Sequence, residues 1–232
     1  MHVIPVIDLK AGCAVHARMG QRDRYRPIKT SLCQGSAPCD VVGSLLKLAP
    51  FPNLYVADLD AIENLGDHAA VLHTIGKAHP ALDLWVDRGT SGAAEAEAWL
   101  GANRGTLVLG SESLDGTAIL RALRHEPRVV LSLDFRGDGF AGPGRLLEDV
   151  AAWPERVVVM TLARVGAEQG PDLDRVSAIV GVSGRRRVYA AGGVRNAADL
   201  AALRHIGASG ALVATALHTG ALTREEVMSA TA

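Results

Sequence analysis

Aromatic residues are scarce in this chain, which has three each of Trp, Tyr and Phe among 232 residues. A core built from it must therefore be filled by Val, Leu, Ala and Ile. Cysteine is equally sparse. Cys13, Cys33 and Cys39 form no C-x-x-C pair, and an odd count argues against a disulfide framework. We read them as free thiols in a reducing, cytoplasmic setting. No paired histidine spacing joins them, so no metal site is expected. Excess charge of either sign is missing too: 24 basic residues balance 25 acidic ones. Nothing in that balance advertises nucleic acid or an anionic membrane as a partner. No apolar run approaches the length of a membrane span, and the start lacks the basic-then-apolar shape of a signal peptide.

What is present is hydrophobic sequence, 48 % of the chain, in short β-branched runs that alternate with Ala/Leu/Glu-rich stretches. Strands are expected at 3–8, 53–59, 82–87, 105–110, 128–134, 156–162, 186–192 and 210–216. Helices are expected between them, for example in SGAAEAEAWLGA, TAILRALRH and NAADLAALRHIG. Apolar strands separated by helices indicate a parallel sheet covered on its outer face. Eight such units predict an α/β chain folded as one (β/α)8 TIM barrel domain over 1–232. An open doubly wound sheet is the rival. It would favour a glycine-rich first turn, which is absent.

The longest irregular stretch, roughly 12–37, follows the first strand. It carries Arg18, Arg22, Arg24, Arg26 and Lys29. A loop of that length reads either as a solvated charged loop or as an anion-grasping lid over the barrel mouth.

The opening MHVIPVIDLKAG ends an apolar run on Asp8, and VVLSLDFRGDG does the same on Asp134. The two halves of the chain explain the coincidence. VIPVIDLKAGCAV aligns with VVLSLDFRGDGFA, placing Asp8 over Asp134. NLYVADLDAIENLGD aligns with RVVVMTLARVGAEQG, placing Asp58 over Thr161. LWVDRGTSGAAEAEAWL aligns with VYAAGGVRNAADLAALR, and TLVLGSES with GALVATAL, placing Gly110-Ser111 over Ala214-Thr215. The chain thus reads as two half-barrels of four βα units each. Strands 1 and 5 of a closed eight-stranded barrel lie across from one another, so both aspartates face one cavity at the C-terminal mouth. Two carboxylates in a partly dehydrated site separate into an acid and a base. A single such residue would be read as a loop cap; a symmetry-related pair favours catalysis.

Small residues end the later strands: Gly192 and Gly193 after the seventh, Ala214 and Thr215 after the eighth. Loops at those two places are the usual phosphate site of a barrel. The repeat supplies a second candidate at Gly89, Gly110 and Ser111. A lone glycine in such a place also serves a turn that needs positive φ. Lys10, Asp58 and Arg88 at strand ends, with Arg26 in the long loop, complete the candidate substrate contacts.

Together VIPVIDLKAG, LYVADLDAIENLGD, LVLGSESL, LSLDFRGDG and AGGVRNAADL resemble the histidine-biosynthesis (β/α)8 barrels, the isomerase HisA and the cyclase HisF. The resemblance spans nearly the whole chain. It implies an Amadori rearrangement, aldose to ketose, on an aminated ribose phosphate. Asp8 would take the proton from C2 of the opened sugar, Asp134 would be the acid that assists ring opening, and Thr161 would orient the intermediate. It implies a phosphate at each end of the substrate and no metal or organic cofactor.

The chain also departs from that pattern. Where the isomerases carry a Gly-Gly-Gly-Ile-Arg type loop, it reads VDRGTS, so Asp87 would repel a phosphate unless Arg88 offsets it. The eighth strand ends in Ala214-Thr215 rather than Gly-Arg, and the loop after the sixth reads ARVGAEQG. The first loop, HARMGQRDRYRPIKTSLC, is long and looks like that of a divergent HisA/HisF-related group of methanogens and methylotrophs that use tetrahydromethanopterin. Three readings follow: an isomerase of a phosphorylated aminoribose, an enzyme of methanopterin-linked one-carbon metabolism acting on another phosphorylated compound, or a non-catalytic phosphometabolite-binding barrel. The sequence leaves the oligomeric state open.

Overall fold

The computed structural model describes residues 1–231. Eleven strands form one sheet: β1 (His2–Lys10), β2 (Cys13–His16), β3 (Arg26–Pro27), β4 (Asn53–Asp58), β5 (Asp83–Asp87), β6 (Thr106–Gly110), β7 (Val129–Arg136), β8 (Gly139–Ala141), β9 (Arg156–Thr161), β10 (Arg187–Ala191) and β11 (Gly210–Val213). Eight of these are parallel neighbours in the order β1-β4-β5-β6-β7-β9-β10-β11, and β11 pairs back onto β1 with His2 opposite Gly210. The sheet is therefore a closed (β/α)8 barrel, and every strand expected from the sequence is present. Closure leaves the barrel no open edge.

Nine helices lie among the described residues: α1 (Pro38–Leu48), α2 (Leu59–Ile62), α3 (Ala69–Ala78), α4 (Ala93–Gly101), α5 (Ala118–Leu123), α6 (Leu173–Val182), α7 (Ala197–His205), α8 (Thr215–His218) and α9 (Arg224–Thr231). Their starts are written locally. Asn196 caps α7 by accepting from the Asp199 N–H at 3.1 Å, and Asp172 caps α6 through the Arg175 N–H at 3.2 Å.

Two expectations need correction. The stretch after β1 is not irregular throughout: it folds back as a β1–β2 hairpin, makes a 3₁₀ turn at Arg22–Arg24 and pairs β3 with β2. And no α-helix joins β7 to β9. That segment is the β7–β8 hairpin followed by two short 3₁₀ turns at Gly144–Leu146 and Val150–Ala152. Gly137, Gly142, Pro143 and Gly144 crowd the region and disfavour a continuous helix.

Alternation along the strands builds two cores. Outward residues such as Val56, Val86, Leu107, Leu131 and Val159 pack under the helices. Inward residues fill the barrel: Ile4, Tyr55, Trp85, Val108, Val130, Val158, Tyr189 and Leu212. Four of the nine aromatics, Tyr25, Tyr55, Trp85 and Tyr189, belong to this inner cluster. Trp85 and Tyr189 meet edge to face with ring centroids 5.1 Å apart, and the Arg156 guanidinium lies 4.9 Å from the Trp85 ring centroid. This layer plugs the barrel toward its N-terminal end and leaves the other end open.

The register confirms the duplication strand by strand. Leu9 pairs with Asp58 as Phe135 pairs with Thr161; Trp85 with Thr106 as Tyr189 with Gly210; Asp87 with Val108 as Ala191 with Leu212. Even the hairpins match, Asp8 facing Val15 in one and Asp134 facing Ala141 in the other.

Candidate active site

A cavity of about 390 Å³ opens at the C-terminal mouth. Asp8, Asp87 and Asp134 project into it from β1, β5 and β7, each on the inward parity of its strand. Asp8 and Asp134 come from opposite strands of the ring, as the repeat requires. Burial pushes the Asp8 carboxyl up to about 7; Arg22 opposes the rise and Asp87 adds to it. Burial also takes Asp134 to about 7, with Asp87 raising it further and Ser132 holding it back. Asp87 rises to about 6, again chiefly by burial, against the Gly89 N–H that steadies its charge. Carboxylates this close titrate as a coupled set, and near neutral pH the set holds both protonated and ionised members.

The two symmetry-related aspartates are held differently. Asp134 accepts from the Ser132 hydroxyl at 2.7 Å and from the Glu112 N–H at 3.2 Å, and its own N–H donates to Ser111 Oγ at 2.9 Å. Ser111 in turn donates to the Ala141 carbonyl at 2.6 Å. At the position that matches Ser132 the first half has Val6. Among the described residues no side chain or N–H donates to the Asp8 carboxylate, which stays available to a bound molecule.

Asp87 sits between them. The Tyr55 hydroxyl donates to its Oδ2 at 3.2 Å and the Gly89 N–H to its Oδ1 at 3.2 Å. A Cβ on Gly110 would stand 3.2 Å from Asp87 Oδ2 and 3.4 Å from Asp134 Oδ2. Gly110 is thus the space in which the two carboxylates meet.

The long first loop covers part of the mouth. The Met19 N–H donates to the Val165 carbonyl at 2.8 Å, tying the loop to the one after β9. Arg22 lines the cavity and forms an ion pair with Glu112, which Arg136 also engages at 2.6 Å. Burial works against the Glu112 carboxylate, but Arg22 and Arg136 keep it below the usual range. Tyr25 also faces the cavity, and burial raises its hydroxyl to about 12.

On the second-half side the cavity is walled by Gly192, Gly193, Ala214 and Thr215. The two glycines have a packing reason of their own. They adopt φ of +99° and +90°, and a Cβ would stand 2.6 Å from the Thr161 carbonyl oxygen in one and 2.2 Å from the Gly170 carbonyl oxygen in the other. Of the first-half set, Ser111 is buried beneath Asp134, and Gly89 (φ +73°) packs against Ile62 with 2.9 Å between its would-be Cβ and the Ile62 Cα.

The other sequence candidates lie away from the cavity. Thr161 and Asp58 occupy matched positions of outward parity and are buried outside the barrel wall. Asp58 caps α2 and accepts from the His68 N–H at 2.8 Å, with His68 Nδ1 at 2.7 Å from its other oxygen. His68 and Asp60 take the Gly12 and Ala11 N–H groups and so pin the turn that follows Asp8. Lys10 pairs with Glu63 at 2.8 Å. Arg88 points outward to Glu95 at 3.2 Å and stacks over Trp99. Arg26 donates to the Tyr25 carbonyl at 2.9 Å on the exposed side of the loop. Tyr25, Tyr55, Glu112, Glu168 and Arg195 line the cavity without being among the sequence candidates, and so do Asp87 and Arg22, which the sequence marks only as a charge against phosphate and as part of the charged loop. Two of them carried a signal: Asp87 shares the parity of Trp85, and Tyr55 that of Ala57. No group of three or more His, Cys, Asp or Glu placed to hold a metal occurs among the described residues.

A closed barrel made of matched halves, with acids converging at the C-terminal mouth, defines a duplicated (β/α)8 barrel of the enzyme-bearing kind. The comparisons make the assignment specific: residues 2–223 match the histidine biosynthesis protein family, and the chain belongs to it. An uncharacterized protein of Methanocaldococcus jannaschii is 27 % identical, covering 99 % of this chain and 98 % of that one. Phosphoribosyl isomerase A of Streptomyces coelicolor is 28 % identical over 100 % of this chain and 98 % of its own. An imidazole-4-carboxamide isomerase of Rubrobacter xylanophilus is 30 % identical, covering 98 % and 96 %.

Proposed function

We propose that the protein is an aldose–ketose isomerase of a phosphorylated aminosugar, working by proton transfer between Asp8, Asp134 and the substrate. The observation that carries this reading is the unequal tethering of two matched carboxylates across one cavity. Asp134, oriented by Ser132 and the Glu112 N–H, gives a proton to the ring oxygen. The C1–O bond breaks as the nitrogen lone pair forms a C1=N bond. Asp8, untethered, takes the proton from C2. The C–H electron pair becomes C1=C2 and the C1=N pair returns to nitrogen. Loss of the hydroxyl proton at C2 with protonation of C1 then yields the amino-ketose. General acid–base work of this kind needs only positioned groups of near-neutral pKa. The substrate phosphate lies against Gly192, Gly193, Ala214 and Thr215, the small residues that wall the second-half side of the cavity.

A panel of N-substituted 5-phosphoribosylamines, incubated with the enzyme in deuterated water, tests this. The expected result is a ketose product carrying deuterium at C1. Absence of turnover across the panel, or a product without solvent deuterium when exchange from the carboxyl is fast, counts against it. A second reading draws on the methanogen relative and on Asp87: an enzyme of methanopterin-linked one-carbon metabolism using the same acids on another phosphorylated compound. Rescue of a histidine-requiring strain that lacks its isomerase separates the two.

A further inference from the structure

The two halves of the mouth present opposite surfaces to a ligand. After β10 and β11 the second half offers backbone, small side chains and the Asp199-paired Arg195: Ala191 stands at the register position of Asp87, and Gly192 at that of Arg88. In the first half the equivalent N–H groups are already used. The Gly89 N–H serves Asp87 Oδ1 and the Glu112 N–H serves Asp134 Oδ2, each at 3.2 Å. The cation next to Asp87 in sequence does not help it, since Arg88 is turned out to Glu95 and Trp99. Arg22, which does face the cavity, is engaged by Glu112. An incoming phosphate would therefore meet two carboxylates that come within 3.4 Å of one point above Gly110, and no N–H cradle. Like charges at such range repel strongly in a partly buried site.

The same surface suits the opposite chemistry. Ionised carboxylate oxygens only accept hydrogen bonds. Tyr55 fixes the orientation of Asp87, and Val6, Leu59 and Ile62 supply apolar wall beside it. We propose that Asp87 is a specificity-determining residue: it shuts phosphate out of the first half of the mouth and accepts hydrogen bonds from a donor-bearing nitrogen group, an amine or amidine, on a substrate phosphorylated only at its other end. This rests on the reading of the second half as the phosphate side.

Simple phosphate monoesters test it without knowledge of the natural substrate. Isothermal titration compares ω-aminoalkyl phosphates of roughly four to eight carbons with alkyl phosphates and α,ω-alkanediyl bisphosphates of the same lengths, since charge-assisted hydrogen bonds to a fixed carboxylate are the strong ones. At the best length the amine is expected to bind about tenfold tighter than the plain ester, equivalent to about 1.4 kcal/mol, and the bisphosphate more weakly than either. Asp87→Asn should collapse that ratio. Asp87→Ala, which places the second-half residue at the matched position, should collapse it too and bring the bisphosphate up. Circular dichroism checks that each variant is folded. Plain esters that bind with no gain from the amine at any length, a bisphosphate that binds tightest, or a preference that survives both substitutions overturns the proposal and leaves the phosphate side intact. If no phosphate ester of any kind binds, the phosphate side itself is wrong and this inference falls with it.

Discussion

Asp8 and Asp134 stand at matched positions in the two half-barrels, yet their surroundings differ. Asp134 leans on the loop after β6 through Ser111 and the Glu112 N–H and is gripped by Ser132. Asp8 has Val6 where Asp134 has Ser132. Thr215, the match of Ser111, lies 3.3 Å from His16 of the neighbouring hairpin rather than against Asp8. The loops diverge further. The first half has Asp87-Arg88 where the second has Ala191-Gly192. The comparison shows that duplication preserved where backbone ends and which way side chains face. The two halves now differ by single residues at those preserved ends.

The largest effects should come from the matched acids. Asp8→Asn and Asp134→Asn are each expected to lower kcat by on the order of 10²–10⁴ while the fold is kept, since an amide neither takes nor gives the proton. The division of labour sharpens this. If Asp8 is the base and Asp134 the acid, kcat/KM should be bell-shaped about neutral pH, and each variant should lose a different limb. Two variants of near-normal activity, or two that lose the same limb, would break the contrast.

A smaller difference is expected between the two loop pairs. A crystal grown with phosphate or sulfate should hold the anion near Gly193 and Thr215 and none near Gly89 and Ser111. Steady-state turnover should agree. A ribotide bearing phosphate at both ends should fall below a kcat/KM of about 10⁴ M⁻¹s⁻¹, the low end of ordinary enzymes. A bis-phosphate processed faster than that would show that Asp87 does not close the first half.

Much of this is legible in the sequence, for one physical reason: strands of period two declare their inward residues. Ile4, Val6 and Asp8 share a parity, and so do Val130, Ser132 and Asp134, so the paired acids could be read from spacing. The same rule places Asp87 with Trp85, facing in, and Thr161 and Asp58 with the outward set, facing the helices. Parity thus separates cavity residues from wall residues more finely than position at a strand end. Loop side chains escaped it. Nothing in RDRYRPIK distinguishes Arg22, which turns inward to Glu112, from Arg26, which turns to solvent, because that choice is made by the tertiary contacts of Met19 and Gly20 with the β9 loop. Lys10 and Arg88 stand at strand ends where ligand contacts are expected, and the structure pairs them with Glu63 and Glu95, partners that lie far off in sequence or on another element.

The smallest expected effect concerns stability, and its sign follows from the three raised carboxyls. Asp8, Asp87 and Asp134 titrate higher in the folded protein than in the unfolded chain. Each therefore favours the folded state most when protonated. That contribution is fully present below the ordinary carboxylate range near pH 4 and is lost as pH rises through about 6 to 7. The melting temperature should accordingly fall between pH 5 and pH 8. Asp87→Asn removes one of the three and also relieves the repulsion that helps raise the other two, so its melting temperature should fall less over the same interval. Taken alone, the rise of Asp87 is worth on the order of 3 kcal/mol. Water in the open cavity and coupling among the three acids reduce it, which leaves a gap of about 2–8 °C opening between variant and wild type as pH rises. The matched residue supplies the control: Ala191→Asn, which adds no charge to the second half, should leave the slope with pH unchanged whatever it does to the melting temperature itself. Parallel pH profiles for wild type and Asp87→Asn would mean that the first-half acids are solvated like ordinary surface carboxylates. The contrast between the halves would then be one of shape rather than of charge.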